Sequence, residues 1–386
     1  MDAKAGARER ITVARDELIA LSHRIHANPE IGFEEERAAA WLGEMLADAG
    51  FVVEAGVGDL PTAFLASAGS GPLHIGICAE YDSLPGIGHA CGHNMIAAMA
   101  AGAGIAAARV ADEVGLRVSV IGTPAEEGGA GKVLLLERGV FAGVHAAMMV
   151  HPAPLDAVEP PILALVQFET RYTGKEAHAS AFPEFGVNAA DALTIAQTAL
   201  GLLRQHIRST DRIHGIVTKG GDAPNVVPAR TVAKYIVRAR TLGELEEIRA
   251  KVVRCFEAGA LATGSSLEIV EDHRPYSEMR HDHDIAAIYR RNAEALGRFF
   301  PDLGAMLERA AGSTDMGNVS LVIPSIHPAI GVGSLPAVNH QREFAAHCVT
   351  EIADQAVVDG ALAMAWTAIE VAGDTAISKR LLGAAS

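Results

Sequence analysis

The sequence contains few residues of several kinds that mark specialised proteins. Its 386 residues include only four cysteines and 5% aromatic residues, and 32 Lys and Arg stand against 47 Asp and Glu, so the formal net charge is −15. Four cysteines without a CxxC pair argue against a disulfide framework and favour a reducing compartment. Because nucleic-acid affinity depends on clustered Lys and Arg, the acidic balance argues against nucleic acid as a partner.

The chain also lacks an uncharged apolar run long enough to cross a membrane. The longest such run, residues 95–108, is shorter than the ~20 residues that a bilayer requires. The N-terminus carries alternating charges where a signal peptide needs a continuous apolar core. These features predict a cytoplasmic protein without a membrane partner, and a length of 386 residues favours two domains.

The hydrophobic pattern predicts one domain inserted into another. Two helices open the chain, and strands then alternate with helices, which indicates an α/β fold with a mostly parallel central sheet. After about residue 165 the order becomes β-α-β-β-α-β, the plan of a ferredoxin-like α+β domain. We therefore predict a discontinuous α/β domain of residues 1–165 and 275–386, with an insert of residues 166–274. The predicted strands are 62–66, 73–79, 117–122, 146–150, 166–173, 213–219, 231–240 and 266–270, and the predicted helices of the insert are 187–207 and 242–261.

Metal-ligand side chains follow the predicted strand 73–79. The segment AEYDSLPGIGHACGHN at 79–94 places Cys91 and His93 two residues apart, on a loop that leads into a buried helix. A thiolate and an imidazole at this spacing can converge on a borderline-soft metal such as zinc, and Asp82 could orient a ligand imidazole. A turn that merely contains a thiol explains this segment equally well.

Two further predicted strands end in residues of the same chemical kind. Glu126 and Glu127 stand on a Gly-rich loop, and adjacent carboxylates are costly unless a cation or a shared proton relieves them. His151 ends the next strand, and His340 follows in PAVNH near the C-terminus. Three successive strand ends with such side chains form a set of ligand types that chance rarely supplies. A phosphate-binding interpretation of GGAGK fails, because Val133 occupies the position that needs Ser or Thr.

Several segments together resemble the M20 metallopeptidase family, which holds aminoacylases, hippurate hydrolases, plant indoleacetyl-amino-acid hydrolases and p-aminobenzoyl-glutamate hydrolase. The resemblance spans nearly the whole chain, and GHACGHN and GSTDMGNVS are most similar to the branch of p-aminobenzoyl-glutamate hydrolase and its dipeptidase-like relatives. The segments are HRIHANPEIGFEEE at 23–36, GHACGHN at 88–94, PAEEGGAGK at 124–132, HP at 151–152, AHAS at 177–180, APNVVPAR at 223–230 and GSTDMGNVS at 312–320.

The resemblance implies a centre of two divalent metal ions, zinc or manganese, with Glu126 as the general base. His327, in the context Ile-His-Pro, competes with His340 for the last ligand position, and we favour His340 because ligands tend to lie on irregular loops. Asn94 stands where many relatives have Asp. The implied ligands are Cys91, shared between the two ions, His93, Glu127, His151 and His340, with Asp82 behind them.

For the insert, the resemblance implies a lid that also forms a homodimer. His178 matches a lid histidine that stabilises the oxyanion in the partner's site, and Asn225 and Arg238 match residues that hold the carboxylate side of the substrate. From the residues alone, Arg238 could equally be an exposed charge on a strand face.

The resulting expectation is a metal-dependent amidohydrolase that cleaves an N-acyl-amino acid or a dipeptide with metal-activated water. The alternative is a catalytically silent binding or assembly protein on the same scaffold, because a fold does not guarantee an activity. Cys91 is the one cysteine expected to bind metal, and Cys78, Cys255 and Cys348 are expected to be core residues.

Overall fold

The computed structural model describes residues 2–302, 304 and 311–384. The chain divides into two compact units. The first consists of Met1–Pro161, Met279–Ala311 and Asp315–Ser386, and the second consists of Ile162–Glu278 and Gly312–Thr314. The insert predicted at 166–274 lies within the second unit.

The described residues form twelve strands in three sheets. They are β1 (Val52–Ala55), β2 (Phe64–Ala68), β3 (Leu73–Ala79), β4 (Leu116–Gly122), β5 (Ala146–Met148), β6 (His151–Ala153), β7 (Ala164–Thr173), β8 (Arg212–Lys219), β9 (Arg230–Ala239), β10 (Ser266–Glu271), β11 (Ser325–Ile326) and β12 (Ala329–Gly331).

Twelve α-helices lie within the same described residues. They are α1 (Ala3–His26), α2 (Glu36–Asp48), α3 (His93–Ala108), α4 (Ala111–Val114), α5 (Gly131–Glu137), α6 (Ala189–Leu203), α7 (Leu242–Thr263), α8 (His283–Glu294), α9 (Met316–Ser320), α10 (Arg342–His347), α11 (Glu351–Gly373) and α12 (Thr375–Ala384).

The first unit is built on a six-stranded sheet of order β1-β2-β4-β3-β5-β11. β3 pairs in parallel with both β4 and β5, and β5 pairs in parallel with β11. β2 is antiparallel to both of its neighbours, β1 and β4. Every residue of β3 is buried, as expected for a central parallel strand covered on both faces. Because β3, β4 and β5 run in the same direction, the loops that follow them leave from one edge of the sheet.

Two apolar helices fill the first unit beside this sheet. α3 is buried at every position from His93 to Ala107, because its Ala-rich sequence has no polar face to expose. α11 packs against α1, α3 and α8. In the part of the chain that the structure describes, α11 is the one helix whose length and apolar composition would allow it to cross a membrane, and 78% of its apolar window is buried in the protein.

The second unit is a four-stranded antiparallel sheet of order β10-β7-β9-β8, with α6 and α7 packed together on it. Along the chain its elements follow the predicted β-α-β-β-α-β order. Its core includes a cluster of aromatic rings, in which the Phe256 ring lies 5.0 Å from that of Tyr235 and 6.0 Å from that of Phe168.

The predicted α/β architecture with a mostly parallel central sheet is confirmed, and the departures from the prediction are local. The strands β1, β6, β11 and β12 were not predicted, because runs of two to four residues show no usable periodicity. The helix predicted at 187–207 ends as an α-helix at Leu203 and continues as the 3₁₀ turn Arg204–His206. Cys78 and Cys348 are buried as expected, and Cys255 is half-buried and packs against the core of the second unit.

The close approach of α6 and α7 depends on Gly259, where a Cβ atom would lie 2.2 Å from the carbonyl oxygen of Ala192. Gly201 on α6 is the matched control, because a Cβ there would meet nothing within 4 Å. We expect Gly259→Ala to lower the free energy of unfolding by ~1–3 kcal/mol through overpacking. Gly201→Ala should raise it by up to ~1 kcal/mol through helix propensity. Urea unfolding followed by circular dichroism measures both, and equal stability of the two variants would contradict the prediction.

Candidate metal centre

Cys91 lies on the loop that leads from β3 into α3, and His93 is the first residue of α3. Gly92 between them has the left-handed φ of +80°. A Cβ atom at Gly92 would lie 2.9 Å from Pro152 and 3.3 Å from Cys348 Sγ, so both the backbone conformation and the space require glycine. This turn brings the thiol and the imidazole of neighbouring residues into one cluster.

The five predicted ligands come together in two groups that share one thiol. Cys91, His93 and His151 form the first group, and Cys91, Glu127 and His340 form the second; within each group the ligand atoms all lie within 4.8 Å of one another. Cys91 Sγ is 3.5 Å from His151 Nε2, and Glu127 Oε1 is 3.5 Å from His340 Nε2. A thiol common to two such groups has the arrangement expected of a bridging ligand.

Asp82 holds ligands of both groups in place. Its Oδ1 lies 2.9 Å from His93 Nδ1, and its Oδ2 accepts the backbone N–H of Glu127 at 2.9 Å. The second ring, His151, has its Nδ1 2.8 Å from the carbonyl oxygen of Pro152. In both histidines Nδ1 is therefore engaged in a polar contact, which leaves Nε2 as the ligand atom. This is the usual arrangement of metal-binding imidazoles.

The cluster has the chemistry that divalent ions require. Among the residues that the structure describes, the buried atoms His93 Nε2 and Glu127 Oε1 have no hydrogen-bond partner, although they lie 3.9 Å from each other. Burial raises the pKa of the Cys91 thiol well above its usual range, and the Glu127 carboxylate raises it further. Since a bound cation would offset both effects, and since thiolate, imidazole and carboxylate are the ligands of zinc sites, the residues present fit a metal centre.

Glu126 lies beside His93 of the first group and precedes Glu127 of the second group in the sequence. Its Oε2 is 4.0 Å from His93 Nε2, and its side chain is buried. Burial, together with the neighbouring carboxylates of Glu80 and Glu127, raises the pKa of Glu126 well above its usual range. Surroundings that favour the protonated form make this carboxylate a stronger proton acceptor than an exposed one, and accepting a proton is the task of a general base.

The two candidates for the last ligand have different surroundings. His340 lies on an irregular loop with φ +69°, and its backbone N–H donates to the carbonyl oxygen of Ala90 at 2.8 Å. Its side chain is 56% exposed and reaches Glu127. His327 is buried, and its ring packs against that of His151 at 5.5 Å. Among the described residues it belongs to neither group, so the geometry favours His340.

Asn94 has a contact that explains its departure from the pattern of its relatives. Its Nδ2 donates to Ser22 Oγ at 2.9 Å and to the carbonyl oxygen of Cys348 at 3.2 Å. An aspartate carboxylate has no proton to donate to that carbonyl, so the amide suits this environment better. The charge behind His93 comes from Asp82 instead.

His178, Asn225 and Arg238 belong to the second unit. His178 is exposed, and its Nδ1 accepts the backbone N–H of Ala181 at 3.2 Å. Val226 and His178 form an isolated β-bridge, which places the segments of His178 and Asn225 side by side. Arg238 on β9 donates from Nη1 to Ser313 Oγ at 2.7 Å.

Sequence reasoning missed four buried charged residues around the centre. Lys132 forms ion pairs with Glu80 and with Asp315, and Glu35 accepts the backbone N–H of Ala125 at 2.8 Å. Glu80, His93 Nε2 and Glu126 also lie within 4.8 Å of one another. All four residues stand in segments that carry the family resemblance or directly after β3. This position in the sequence was the signal that could have identified them as residues of the centre.

Comparisons with known proteins show the family to which the chain belongs. A family model of the peptidase dimerisation domain of the M20 peptidases matches residues 164–263. A mouse protein named Xaa-Arg dipeptidase is 38% identical over 95% of this chain and 88% of its own length. A component of the p-aminobenzoyl-glutamate hydrolase of Escherichia coli is 35% identical over 64% of this chain and 56% of its own length.

Among solved structures, a dinuclear metal binding peptidase of the M20 family from Bacillus subtilis superimposes with a TM-score of 0.70, at 21% identity, over 93% of this chain and 99% of that one. At this identity the likeness concerns the fold alone. The predicted family resemblance is thus confirmed by the relatives and by the fold.

The two ligand groups generate a prediction about metal content. His151→Ala and His340→Ala should each lose about one of two bound ions, because each removes a ligand of one group only, whereas Cys91→Ala should weaken both. The measurement is elemental analysis after dialysis against a graded chelator. His283→Ala is the control, since that exposed histidine pairs with Glu159. Full retention of both ions by Cys91→Ala would contradict a shared thiolate.

Proposed function

Since the chain belongs to the M20 peptidase family and is an amidohydrolase of that family, we propose that it hydrolyses the amide bond of dipeptides or N-acyl-amino acids at a two-metal centre. The observation that carries the proposal is the pair of ligand groups joined by Cys91, with Glu126 beside them. Cys91, His93 and His151 would hold one ion, and Cys91, Glu127 and His340 would hold the other.

When bound, divalent ions lower the pKa of a coordinated water and polarise the scissile carbonyl. Glu126 takes the proton from the attacking water, since its carboxyl group lies 4.0 Å from the ligand atom His93 Nε2 and its pKa is raised by burial. The same carboxyl group then delivers this proton to the nitrogen of the leaving amine. Asp82 keeps His93 in one tautomer throughout, because its Oδ1 engages His93 Nδ1.

His178 is the proposed donor to the oxyanion, and Asn225 and Arg238 are the proposed contacts of the substrate carboxylate. The guanidinium of Arg238 donates to the hydroxyl of Ser313, which stands in the segment GSTDMGNVS of the family resemblance. This hydrogen bond fixes the direction of the side chain. A guanidinium keeps its charge throughout the working pH range and can bind a carboxylate with two parallel hydrogen bonds.

We propose dipeptides that end in arginine as the first substrates to test, because the mouse Xaa-Arg dipeptidase matches this chain over most of both lengths. The second candidate is p-aminobenzoyl-glutamate, which the name of the E. coli relative suggests. Zinc or manganese is the proposed metal, and the Cys91 thiolate favours the softer zinc ion.

A homodimer formed through the second unit is also proposed. β8 is one of the two edge strands of its sheet, and Ile216 on it is 65% exposed. An apolar edge strand is a template for pairing with another chain. The match of residues 164–263 to a dimerisation domain supports a dimer formed through this unit.

The activity is tested with Xaa-Arg dipeptides, Xaa-Arg amides and p-aminobenzoyl-glutamate, in the presence of Zn²⁺, Mn²⁺ or Co²⁺. We expect hydrolysis of the free dipeptides and at least about tenfold weaker kcat/KM for the amides, which lack the carboxylate. Glu126→Gln should keep its metal and lose about 10²–10⁴-fold in kcat, because it removes the proton acceptor. Glu113→Gln, which changes an exposed carboxylate, is the matched control.

Two outcomes of this assay would contradict the proposal. Activity of Glu126→Gln within a few-fold of the wild type would remove Glu126 from the role of base. A metal-free and inactive protein that still dimerises would favour the alternative, a binding or assembly protein on the same scaffold.

For the dimer, we expect Ile216→Lys to convert a dimer into a monomer at micromolar concentration, because a buried lysine at a strand edge repels its copy in the partner. Leu261→Lys is the control, since Leu261 is 88% exposed on α7 and does not belong to the edge strand. Light scattering after size-exclusion chromatography gives both masses. A wild-type monomer, or an unchanged dimer with Ile216→Lys, would rule out this interface.

A further inference from the structure

We propose that Glu35 and Asp315 are positioning residues that hold the two ends of the loop bearing Glu126 and Glu127. The inference rests on the proposed role of these two glutamates. The loop begins after β4 and ends in the first turn of α5. Neither Glu35 nor Asp315 belongs to a ligand group among the described residues.

The loop has a backbone that its own sequence does not favour. Ala125 and Ala130 both adopt left-handed conformations, with φ of +56° and +54°, although neither is glycine. Between them stand the two glutamates. The loop also folds tightly on itself, because a Cβ atom at Gly131 would lie 1.8 Å from the carbonyl oxygen of Pro124. Such conformations cost free energy and persist only where the surroundings impose them.

Glu35 fixes the first end of the loop. Its side chain is fully buried, and its Oε1 accepts the backbone N–H of Ala125 at 2.8 Å. Its Oε2 accepts the hydroxyl of Thr62 at 2.9 Å. Gly32, three residues earlier, packs so closely that a Cβ atom there would lie 2.9 Å from Ala125 Cβ. The residue directly before the proposed base is therefore held by a hydrogen bond and by packing.

Asp315 fixes the second end. This fully buried carboxylate accepts the backbone N–H of Lys132 through Oδ2 at 2.8 Å and the ammonium of the same lysine through Oδ1 at 2.7 Å. Lys132 is also fully buried, and its ammonium donates to Glu80 as well. Both hydrogen bonds to the Asp315 carboxylate come from Lys132, so the backbone and the side chain of Lys132 are fixed together.

These interactions suit positioning better than stabilisation. The buried ion pair of Asp315 with Lys132 contributes little net stability compared with apolar packing of the same volume, because desolvation offsets the attraction. The hydrogen bonds that the Glu35 and Asp315 carboxylates accept are directional, however, and here they come from the backbone N–H groups of Ala125 and Lys132. Two carboxylates at the ends of a strained loop fix the position of the side chains between them.

The test compares Glu35→Ala, Glu35→Gln and Asp315→Ala in the full-length protein loaded with Zn²⁺. The alanine variants should keep both ions and lose about 10²-fold in kcat with KM within a few-fold, because misplacement of a reacting group by about 1 Å costs this much. Glu35→Gln retains an oxygen acceptor for the Ala125 N–H and should restore kcat to within a few-fold of the wild type. Asp359→Ala is the control, since it removes a buried carboxylate on α11.

A double-mutant cycle separates positioning from general destabilisation. In the Glu126→Gln background, Glu35→Ala should lower kcat no further, because Glu35 acts through Glu126. Fully additive effects, or an equal loss of kcat in Glu35→Gln and Glu35→Ala, would overturn the proposal.

Hydrogen exchange of the loop distinguishes this proposal from the proposed function. Glu35→Ala and Asp315→Ala should raise the exchange of amides in residues 123–134 at least about tenfold, and Asp359→Ala should not. If the wild-type protein is inactive but the variants still show this exchange pattern, the result would contradict the proposed function and support the positioning role of Glu35 and Asp315. If the exchange of the loop is unchanged in both alanine variants, the positioning role of Glu35 and Asp315 is contradicted, whatever the activity.

Discussion

The centre depends on the burial of negative charge at one edge of the central sheet. Carboxylates cluster there out of water, and like charges in such surroundings repel unless cations or protons offset them. Lys132 supplies one internal cation by pairing with two of the carboxylates. Divalent ions would supply the remaining positive charge. They would also bind His93 Nε2 and Glu127 Oε1, which have no hydrogen-bond partner among the described residues. The clustered acids are Glu80, Asp82, Glu126, Glu127 and Asp315.

Much of the centre could be predicted from the sequence because its residues follow strands. Cys91, Glu126 and His151 each come soon after an apolar run, and neighbouring parallel strands end at the same edge. His340 required the family resemblance, since no strand precedes it directly. Glu35 and Asp315 could not be predicted, because their partners lie 90 and 183 residues away in sequence and no periodic pattern marks such contacts.

The second unit could be predicted in outline for a different reason. Its helices and strands are long enough to show clear periodicity, and their order alone indicates the plan. The proposed roles of His178 and Arg238 depend on contacts with a substrate. A hydrophobic pattern within one chain does not encode such contacts. Their local contacts, the Ala181 N–H and the Ser313 hydroxyl, emerge only from the folded arrangement.

The shared thiol has a consequence for the order in which the protein matures on the ribosome. Cys91, His93 and His151 all precede the second unit in sequence, whereas His340 follows it. A chain that emerges from its N-terminus can therefore assemble the first ligand group before the second unit has been synthesised. The second group waits for nearly 190 further residues, by which point β11, the strand that pairs with β5 in the central sheet, has also been synthesised. In the proposed two-metal centre, metal acquisition would thereby be divided into an early and a late event, with Cys91 taking part in both.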